Sequence, residues 1–323
     1  MTAPRFRVVV TGHHFHTLEP ERAVLADLAD LVEAQPRSRE EVIAAARDAD
    51  AILNQDGRLD GPVIDALRHC RIIVAYGVGT DRIDVDAATA RGIQVCNVPD
   101  YGLDEVAAHA IALLLAFERR IPQQAAAVRA GEWAQPPEGS SRRLAGRVLG
   151  IVGLGRIGRR VAALGRAFQL QVICADPHVP SDEAMRHSVQ SVGLDELLQR
   201  ADYVSLHCPL TEHTRGMLNA AAFARMKPDA VLINVARGPV VDEAALIETL
   251  RAGRLRGAAL DVLEHEPTPT DNPLLSMENV IITPHTAWYS EEAQQRLKVG
   301  AAEEVRRALL GEPPRCPVNR PRS

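Results

Sequence analysis

Short apolar runs, many of them rich in β-branched residues, alternate with helix-like stretches along most of the chain. In the first third, this pattern predicts strands over residues 7–10, 51–54, 71–75 and 93–97. The stretches between these runs predict helices over residues 20–33 and 40–47. Strands separated by helices are typical of a parallel sheet that carries helices on its faces.

The middle of the chain predicts one long helix over residues 103–130. Its centre, residues 107–117, is nearly all apolar and should be deeply buried. Residues 131–143 then bring prolines, glycines and serines, which is typical of a loop at a boundary between structural units.

A second alternating series follows this loop. It predicts strands over residues 148–152, 171–175, 203–207, 230–235, 258–261 and 280–283. It predicts helices over residues 157–168, 194–200 and 242–251, and a charged amphipathic helix over 289–310. Six strands joined by helical crossovers match the doubly wound dinucleotide-binding fold.

The composition fits a globular protein of two domains. Hydrophobic residues make up 46% and charged residues 24% of the 323 residues. Aromatic residues reach only 3%, so the cores must be mainly aliphatic, which suits helices packed on a parallel sheet. The net charge of −5 argues against a nucleic-acid-binding surface. The arginine pairs at 142–143 and 159–160 are interpreted as solvated ends of helices or loops.

The cysteines do not indicate cross-links or a metal site. The sequence contains Cys70, Cys96, Cys174, Cys208 and Cys316. Because they are scattered and form no CxxC pair, neither a disulfide framework nor a metal site is expected. No apolar run approaches the roughly 20 residues that span a bilayer, and the first residues lack a signal-peptide pattern. We therefore expect a cytoplasmic protein that does not contact membranes.

The sharpest motif is Gly153-Leu154-Gly155-Arg156-Ile157-Gly158, which follows a predicted strand and opens a predicted helix. Gly153 allows a tight turn, Gly155 lets the backbone approach a pyrophosphate, and Gly158 lets helix and strand pack closely. Asp176 ends the next strand, where it can accept hydrogen bonds from a ribose and would repel a 2′-phosphate. The motif predicts NAD rather than NADP; a glycine turn with a structural aspartate is the alternative.

Three residues downstream suggest reduction of a keto acid, which needs a hydride donor, a cation, a proton donor and a carboxylate anchor. Arg237 and His285 each follow a predicted strand, where this fold binds ligands. A guanidinium can grip a carboxylate and a keto oxygen together, and histidine is the usual acid or base near neutral pH. Glu266 is a plausible partner, since a carboxylate favours the protonated imidazole. From its spacing alone, Arg237 could also be a surface arginine in a turn.

Two further segments follow strands. The segment Tyr76-Gly77-Val78-Gly79 has two glycines, which leave backbone N–H groups open to a carboxylate, although a plain turn is an equal alternative. His207 ends a strand near the expected cofactor edge, and we expect it to order that loop rather than to react.

Together these motifs resemble the D-isomer-specific 2-hydroxyacid dehydrogenases, which include phosphoglycerate dehydrogenases, hydroxypyruvate and glyoxylate reductases and the C-terminal-binding proteins. The matching segments are residues 76–84, 95–99, 150–158, 202–209, 234–238, 257–267 and 283–285. The resemblance implies an α/β protein of two doubly wound parallel-sheet domains. It places a Rossmann NAD-binding domain at residues 101–288, inserted in a flavodoxin-like substrate domain made of residues 1–100 and 289–323.

The resemblance also implies roles for individual residues. Arg237 would bind substrate, His285 would act as acid and base, and Glu266 would tune it. The N–H groups of Gly77, Val78 and Gly79, beside Tyr76, would hold the substrate carboxylate. The implied NAD contacts, with the motif glycines Gly153, Gly155 and Gly158 and neighbouring residues, are Arg156, Ile157, Asp176, His207, Cys208, Pro209, Thr214, Val235, Ala236, Arg237, Asp261 and His285. A homodimer formed through the long helix is implied as well.

The substrate preference is drawn from one match and one departure. The segment from His285 to Glu291 is similar to the C-terminal-binding-protein branch, in which Trp288 would line the substrate pocket and favour an apolar or thioether side chain. Many relatives carry an arginine where this chain has Ala75, so a phosphorylated acid is less expected. Because the sequence ends at Ser323, the regulatory C-terminal domain of longer phosphoglycerate dehydrogenases is not expected.

The alternatives stay open at this point. The substrate could be 3-phosphoglycerate, hydroxypyruvate or glyoxylate, and the protein could be an NAD(H)-sensing, co-repressor-like binding protein. The acidic net charge favours a metabolic enzyme that reduces a small 2-keto acid or oxidises a 2-hydroxy acid.

Overall fold

The fold is described from a computed structural model, and the structure describes residues 5–321. The strands are β1 (Phe6–Thr11), β2 (Ala29–Ala34), β3 (Ala51–Asn54), β4 (Ile72–Ala75), β5 (Gln94–Cys96), β6 (Val148–Val152), β7 (Gln171–Ala175), β8 (Gln190–Ser191), β9 (Tyr203–Leu206), β10 (Val231–Asn234), β11 (Gly257–Leu260) and β12 (Val280–Ile282). The α-helices are α1 (Glu19–Leu25), α2 (Arg39–Ala46), α3 (Gly61–Ala66), α4 (Val85–Ala90), α5 (Leu103–Glu118), α6 (Ile121–Arg129), α7 (Arg156–Ala167), α8 (Ser181–Arg186), α9 (Leu194–Arg200), α10 (Ala220–Phe223), α11 (Glu243–Arg251) and α12 (Glu291–Leu309). Within residues 5–321, no helix is long and apolar enough to cross a bilayer.

The chain forms two compact units. The first unit holds the described residues up to Gly102 together with those from Ser290 onward, and the second unit is Leu103–Tyr289. The first four and the last two residues of the substrate domain predicted above lie outside the described residues.

The first unit is a five-stranded parallel sheet with strand order β2-β1-β3-β4-β5. This order is that of flavodoxin-like sheets, as predicted. The central strands are buried on both faces, which is why their sequences are nearly continuous apolar runs. Two helices in this unit, α2 and α12, begin after a serine cap: the Ser38 hydroxyl accepts from Glu41 N–H at 3.2 Å, and the Ser290 hydroxyl accepts from Ala293 N–H at 2.9 Å.

One predicted helix in this unit is partly wrong. The helix expected over residues 20–33 ends at Leu25, and Ala29–Ala34 forms the edge strand β2 beside β1. Asp30 and Glu33 are exposed on this edge, and Leu31 and Val32 are only half-buried, so the strand lacks the apolar run that marks its neighbours.

The second unit is a seven-stranded parallel sheet with strand order β12-β11-β10-β9-β6-β7-β8. The order reverses beside β6, between β9 and β7, and such a switch point is where doubly wound sheets bind ligands. Aliphatic cores cover both faces, as the low aromatic content predicts. The strand β8 was not predicted, because it has only two residues and pairs on one side.

The long helix predicted over residues 103–130 is two helices. Helix α5 ends at Glu118, and Arg120 adopts a left-handed conformation with φ of 51°. Helix α6 then begins at Ile121, with Pro122 in its first turn. Proline is well tolerated at that position because its missing N–H has no helical partner there. The apolar centre of α5 is buried as expected, whereas α6 has no buried residue.

Candidate active site

The glycine motif forms the turn between β6 and α7. Gly153 has a φ of 93°, and a Cβ built on it would lie 2.8 Å from Cys208 N. A Cβ on Gly158 would lie 2.2 Å from Gly153 O, so both positions require glycine. A Cβ on Gly155 would meet no atom within 4 Å, which leaves an open approach to the N-terminus of α7. This open backbone fits the phosphates of a dinucleotide.

Asp176 lies where a ribose partner is needed, directly after β7. Its Oδ2 accepts from Leu154 N–H at 2.8 Å and its Oδ1 from His178 N–H at 2.9 Å. Both bonds fix the carboxylate beside the glycine turn and leave further lone pairs on its oxygens. The half-buried side chain can therefore accept bonds from ribose hydroxyls.

The segment after β9 packs against the same turn. The backbone of His207 and Cys208 approaches Gly153 more closely than a side chain would allow. Thr214 closes this segment, since its hydroxyl donates to Pro209 O at 2.7 Å. Burial raises the pKa of the Cys208 thiol to about 11, so it stays protonated and serves as an apolar surface.

His207 is held in its neutral form. Its Nε2 lies 2.8 Å from the hydroxyl of buried Ser205, and its inaccessible Nδ1 has no partner among the described residues. Burial lowers the pKa of this imidazole to about 3. A neutral, inward-facing ring agrees with the expectation that His207 orders the loop.

This burial predicts acid sensitivity. An unfolded chain protonates His207 below about pH 6.5, whereas the folded chain resists protonation until about pH 3. Stability that is present above pH 6.5 should therefore be lost as pH falls through this window, by up to about 1.4 kcal/mol per pH unit. Urea unfolding of His207→Gln at several pH values should show a shallower loss than wild type. Exposed His178→Gln is the control, and equal slopes for all three proteins would contradict the assignment.

Arg237 follows β10 in a turn built by Asn234. The Asn234 side chain donates to Arg237 O at 3.0 Å and accepts from Ala236 N–H at 3.0 Å. The guanidinium donates back to Ala236 O at 2.8 Å. Gly238 follows because a Cβ there would collide with Leu263 O. The arginine is thus half-buried in a fixed turn rather than on a mobile surface loop.

Glu266 and His285 form a hydrogen-bonded pair. Glu266 Oε2 lies 2.7 Å from His285 Nδ1, and Glu266 Oε1 accepts from Leu263 N–H at 3.0 Å. Burial opposes ionisation, but the bond from His285 and the charges of His285 and Arg237 outweigh it and lower the pKa of Glu266. An ionised carboxylate only accepts, so Nδ1 carries a hydrogen and Nε2 is left for proton transfer.

Asp261 anchors the loop that carries His285. Its buried carboxylate accepts from Thr286 N–H and Ala287 N–H, both at 2.9 Å, and from the Thr283 hydroxyl at 2.6 Å. The backbone N–H of His285 donates to Asp261 O at 2.8 Å, and His285 has a left-handed φ of 55°. Such a conformation in a non-glycine residue persists only where its surroundings impose it.

His109 is a supporting residue that the sequence did not reveal. It lies on α5, and its Nε2 is 3.0 Å from the Thr283 hydroxyl and 3.6 Å from Asp261 Oδ1. The only signal available was a histidine within an apolar helix, which predicts a buried polar contact but not its partner. It extends the network behind His285 across to the helix layer.

The loop after β4 in the first unit differs in part from its prediction. Gly77 N–H donates to Ala75 O at 3.0 Å, so it is not open to a ligand. Tyr76 is buried, and its hydroxyl donates to Glu21 rather than facing outward. Within residues 5–321, the N–H groups of Val78 and Gly79 donate to no protein acceptor. These two groups are the available donors for a carboxylate.

Trp288 lies two residues beyond Thr286 in the second unit. It is half-buried and meets Tyr289 edge to face, with ring centroids 5.7 Å apart. Its ring can therefore offer an apolar surface beside the loop of His285.

In the second unit, the structure thus brings the glycine turn, Asp176, Arg237, Glu266 and His285 to the carboxyl ends of parallel strands. A fixed guanidinium can bind and polarise a carbonyl, and an imidazole backed by a carboxylate can transfer a proton to or from its oxygen. Within residues 5–321, no cluster of residues suited to hold a metal ion is present.

The chain is similar to proteins of known activity. The sequence model described as the D-isomer specific 2-hydroxyacid dehydrogenase NAD-binding domain matches residues 111–287. A D-3-phosphoglycerate dehydrogenase of Methanocaldococcus jannaschii is 40% identical over 300 residues, which are 92% of this chain and 57% of that protein. A glyoxylate reductase of Thermofilum pendens is 39% identical over 316 residues, which are 94% of this chain and 92% of that protein.

Solved structures agree. A D-lactate dehydrogenase from Aquifex aeolicus, complexed with NAD and lactic acid, is 30% identical with a TM-score of 0.86, and the match covers 94% of this chain and 96% of that one. This chain spans only a little over half the length of the phosphoglycerate dehydrogenases that it matches.

Proposed function

The chain belongs to the D-isomer-specific 2-hydroxyacid dehydrogenase family, and from this premise we propose that it interconverts a small 2-keto acid and its D-2-hydroxy acid with NAD. The observation that carries the proposal is the 2.7 Å bond between Glu266 and His285, with the charge of Arg237 close enough to lower the pKa of that glutamate. A glycine turn alone would support only nucleotide binding.

NADH supplies the hydride when bound, and NAD⁺ accepts it in the reverse direction. The turn from Gly153 to Gly158 and the N-terminus of α7 would hold the phosphates, and Asp176 would hold the ribose. The segment from Cys208 to Thr214 and residues Val235 and Ala236 would complete this surface, and the buried Asp261 would support it by holding the loop of His285. The remaining chemistry belongs to side chains of this chain.

In the direction of reduction, Arg237 binds the carbonyl oxygen and stabilises the negative charge that develops there. His285 donates a proton from Nε2 to that oxygen. Glu266, ionised and bonded to Nδ1, stabilises the imidazolium before transfer and keeps the ring oriented. In oxidation, the same Nε2 accepts the proton from the hydroxyl.

We propose that the substrate is a 2-keto acid with an apolar side chain. The N–H groups of Val78 and Gly79 are the proposed carboxylate donors, and Trp288 provides an aromatic contact for the side chain. Ala75 offers no charge for a phosphate. The names of the relatives make glyoxylate, hydroxypyruvate and phosphohydroxypyruvate the other candidates.

A substrate panel tests this function. NADH consumption should occur with glyoxylate, pyruvate, hydroxypyruvate, 4-methyl-2-oxopentanoate and 3-phosphohydroxypyruvate, and it should be fastest with the branched apolar acid. If the wild-type protein turned over none of the five acids but bound NADH tightly, an NAD(H)-sensing protein would be favoured instead. Fastest turnover with 3-phosphohydroxypyruvate would contradict the substrate preference.

The cofactor preference depends on Asp176. Wild type should favour NADH over NADPH by at least about tenfold in kcat/KM, since the carboxylate repels a 2′-phosphate. Asp176→Asn should reduce this preference, because it weakens the binding of NADH and removes the repulsion of the 2′-phosphate of NADPH. Exposed Asp195→Asn is the matched control in the same unit. An unchanged NADH-to-NADPH ratio in Asp176→Asn would exclude the proposed ribose contact.

We further propose a homodimer and a cytoplasmic location. The apolar side chains of Ile121 and Val128 on α6 and of Trp133 beyond it are 54%, 50% and 90% exposed, and such a concentration is typical of an interaction surface. Sedimentation at micromolar protein concentration should give twice the mass of one chain, and Trp133→Ser should weaken the dimer. A protein that stays strictly monomeric would contradict the proposed dimer. Five free cysteines fit a reducing compartment.

A further inference from the structure

The first unit contains a buried ion pair that the chemistry described above does not use. Glu21 lies on α1 and Lys298 on α12, and their side chains are 0% and 2% exposed. Lys298 Nζ is 3.7 Å from Glu21 Oε2. Nζ also donates to Thr17 O and lies 5.1 Å from the centre of the Phe15 ring. The ammonium is thus enclosed by a carboxylate, a carbonyl and an aromatic face.

Tyr76 joins this pair to the loop after β4. Its hydroxyl donates to Glu21 Oε1 at 2.9 Å, and its ring meets Phe15 edge to face at 5.0 Å between centroids. Burial raises the pKa of Tyr76 well above its usual value, with Glu21 adding to the effect, so the hydroxyl keeps its proton and donates. The tyrosine side chain therefore has one defined orientation.

Burying an ion pair in a core carries a large desolvation free energy. Removing both charges from water costs several kcal/mol, and apolar residues of the same volume are often as stable or more so. Burial also raises the pKa of Glu21, although a backbone hydrogen bond, the bond from Tyr76 and the charge of Lys298 oppose the shift. A directional contact, which an apolar residue cannot supply, is what this pair adds.

The contact acts on the segment that presents the two open N–H groups. The backbone is tied on one side by Tyr76 N–H to Asn54 O at 2.8 Å and on the other by Val98 N–H to Gly77 O at 2.9 Å. The Asn97 side chain donates to Val78 O at 2.7 Å. The side chain of Tyr76 is a further tie, and it lies immediately before Gly77, whose φ of 147° few other residues adopt.

We propose that Glu21, neutralised by Lys298, is a positioning residue that holds Tyr76 and thereby aims the N–H groups of Val78 and Gly79 at the substrate carboxylate. The proposal rests on the function given above, because it supplies the carboxylate. Glu21 itself is inaccessible to solvent. Its effect is on substrate affinity rather than on the chemical step.

Kinetics with glyoxylate and saturating NADH provide the first test. Glu21→Gln leaves the ammonium of Lys298 without its counter-ion, and Tyr76→Phe removes the hydroxyl alone. In both variants KM should rise about tenfold with little change in kcat, the effect of a lost hydrogen bond on binding shared by ground and transition states. The Kd for NADH should not change.

A rescue and a matched control separate positioning from loss of stability. In the double variant Glu21→Gln, Lys298→Met, no ammonium competes for the amide oxygen, which can again accept from Tyr76, so KM should return most of the way to wild type. Glu304 is another buried glutamate on α12, where it accepts from Arg315 N–H at 3.2 and 3.1 Å. Glu304→Gln should leave KM unchanged. A wild-type KM in Tyr76→Phe, or an equal rise in Glu304→Gln, would overturn the proposal.

A second readout does not depend on turnover. In ¹⁵N-labelled protein without ligands, Tyr76→Phe and Glu21→Gln should shift the amide resonances of Val78 and Gly79, and Glu304→Gln should not. Unshifted resonances overturn the positioning role even if the enzyme is active. An inactive wild type with shifted resonances overturns the proposed function and supports the positioning of the loop.

Discussion

Replacement of Arg237 by alanine is expected to lower kcat/KM for the preferred keto acid by roughly 10²–10⁴-fold, because truncating a paired, desolvated charge costs about 3–5 kcal/mol. The guanidinium sits in a turn whose backbone is fixed by hydrogen bonds to the Asn234 side chain and by the close packing of Gly238. Much of the loss should fall on kcat, since negative charge on the carbonyl oxygen is largest in the transition state.

Two variants frame this result. Arg237→Lys keeps the charge but loses the planar fork, so it should recover only part of the activity. Arg225→Ala removes an exposed arginine of the same unit that pairs with Asp195, and its rates should match wild type. Near-normal turnover in Arg237→Ala would show that the carbonyl is bound elsewhere.

Loss of the proton donor should have the second largest effect. His285→Gln is expected to reduce kcat by roughly 10²–10⁴-fold, the usual contribution of a positioned general acid. His265 is an exposed histidine that directly precedes Glu266 in the sequence. The variant His265→Gln is the control and should be fully active. Equal rates in the two variants would remove His285 from the mechanism.

Glu266→Gln refines that test through the pH profile. The lowered pKa of Glu266 keeps it ionised at neutral pH, where it favours a protonated imidazole. Glutamine keeps the size but not the charge, so the pH above which reduction declines should move downward. Initial rates of reduction across pH 5–9 measure this, and a profile that matches wild type would contradict the pairing.

Much of the fold could be predicted because parallel sheets bury their central strands completely. The runs at Ala51–Asn54, Val148–Val152 and Gln171–Ala175 are apolar along nearly their whole length, and the predicted bounds were correct. The edge strand Ala29–Ala34 was missed because only one of its six positions is buried, so it lacks a continuous apolar run. The break at Arg120 was missed because the prediction ran one helix through Pro122, which disrupts a helix interior and suits the first turn of a new helix.

The site could be predicted only as far as chain position carries it. Residues that follow parallel strands gather at one edge, which is why Arg237, His285 and the glycine turn were found together in the second unit. The direction of a side chain could not be predicted from the sequence. Tyr76, for example, points inward and donates to Glu21, which lies 55 residues earlier in the chain. The same is true of Asp261, whose carboxylate holds the loop of His285.

Transfer of deuterium tests the central claim most directly. The protein should be incubated with 4-methyl-2-oxopentanoate and NADH deuterated at C4 of the nicotinamide, on each face in separate samples. One of the two samples should yield D-2-hydroxy-4-methylpentanoate that carries a single deuterium at C2. An unlabelled product from both samples, or a product of L configuration, would contradict the account.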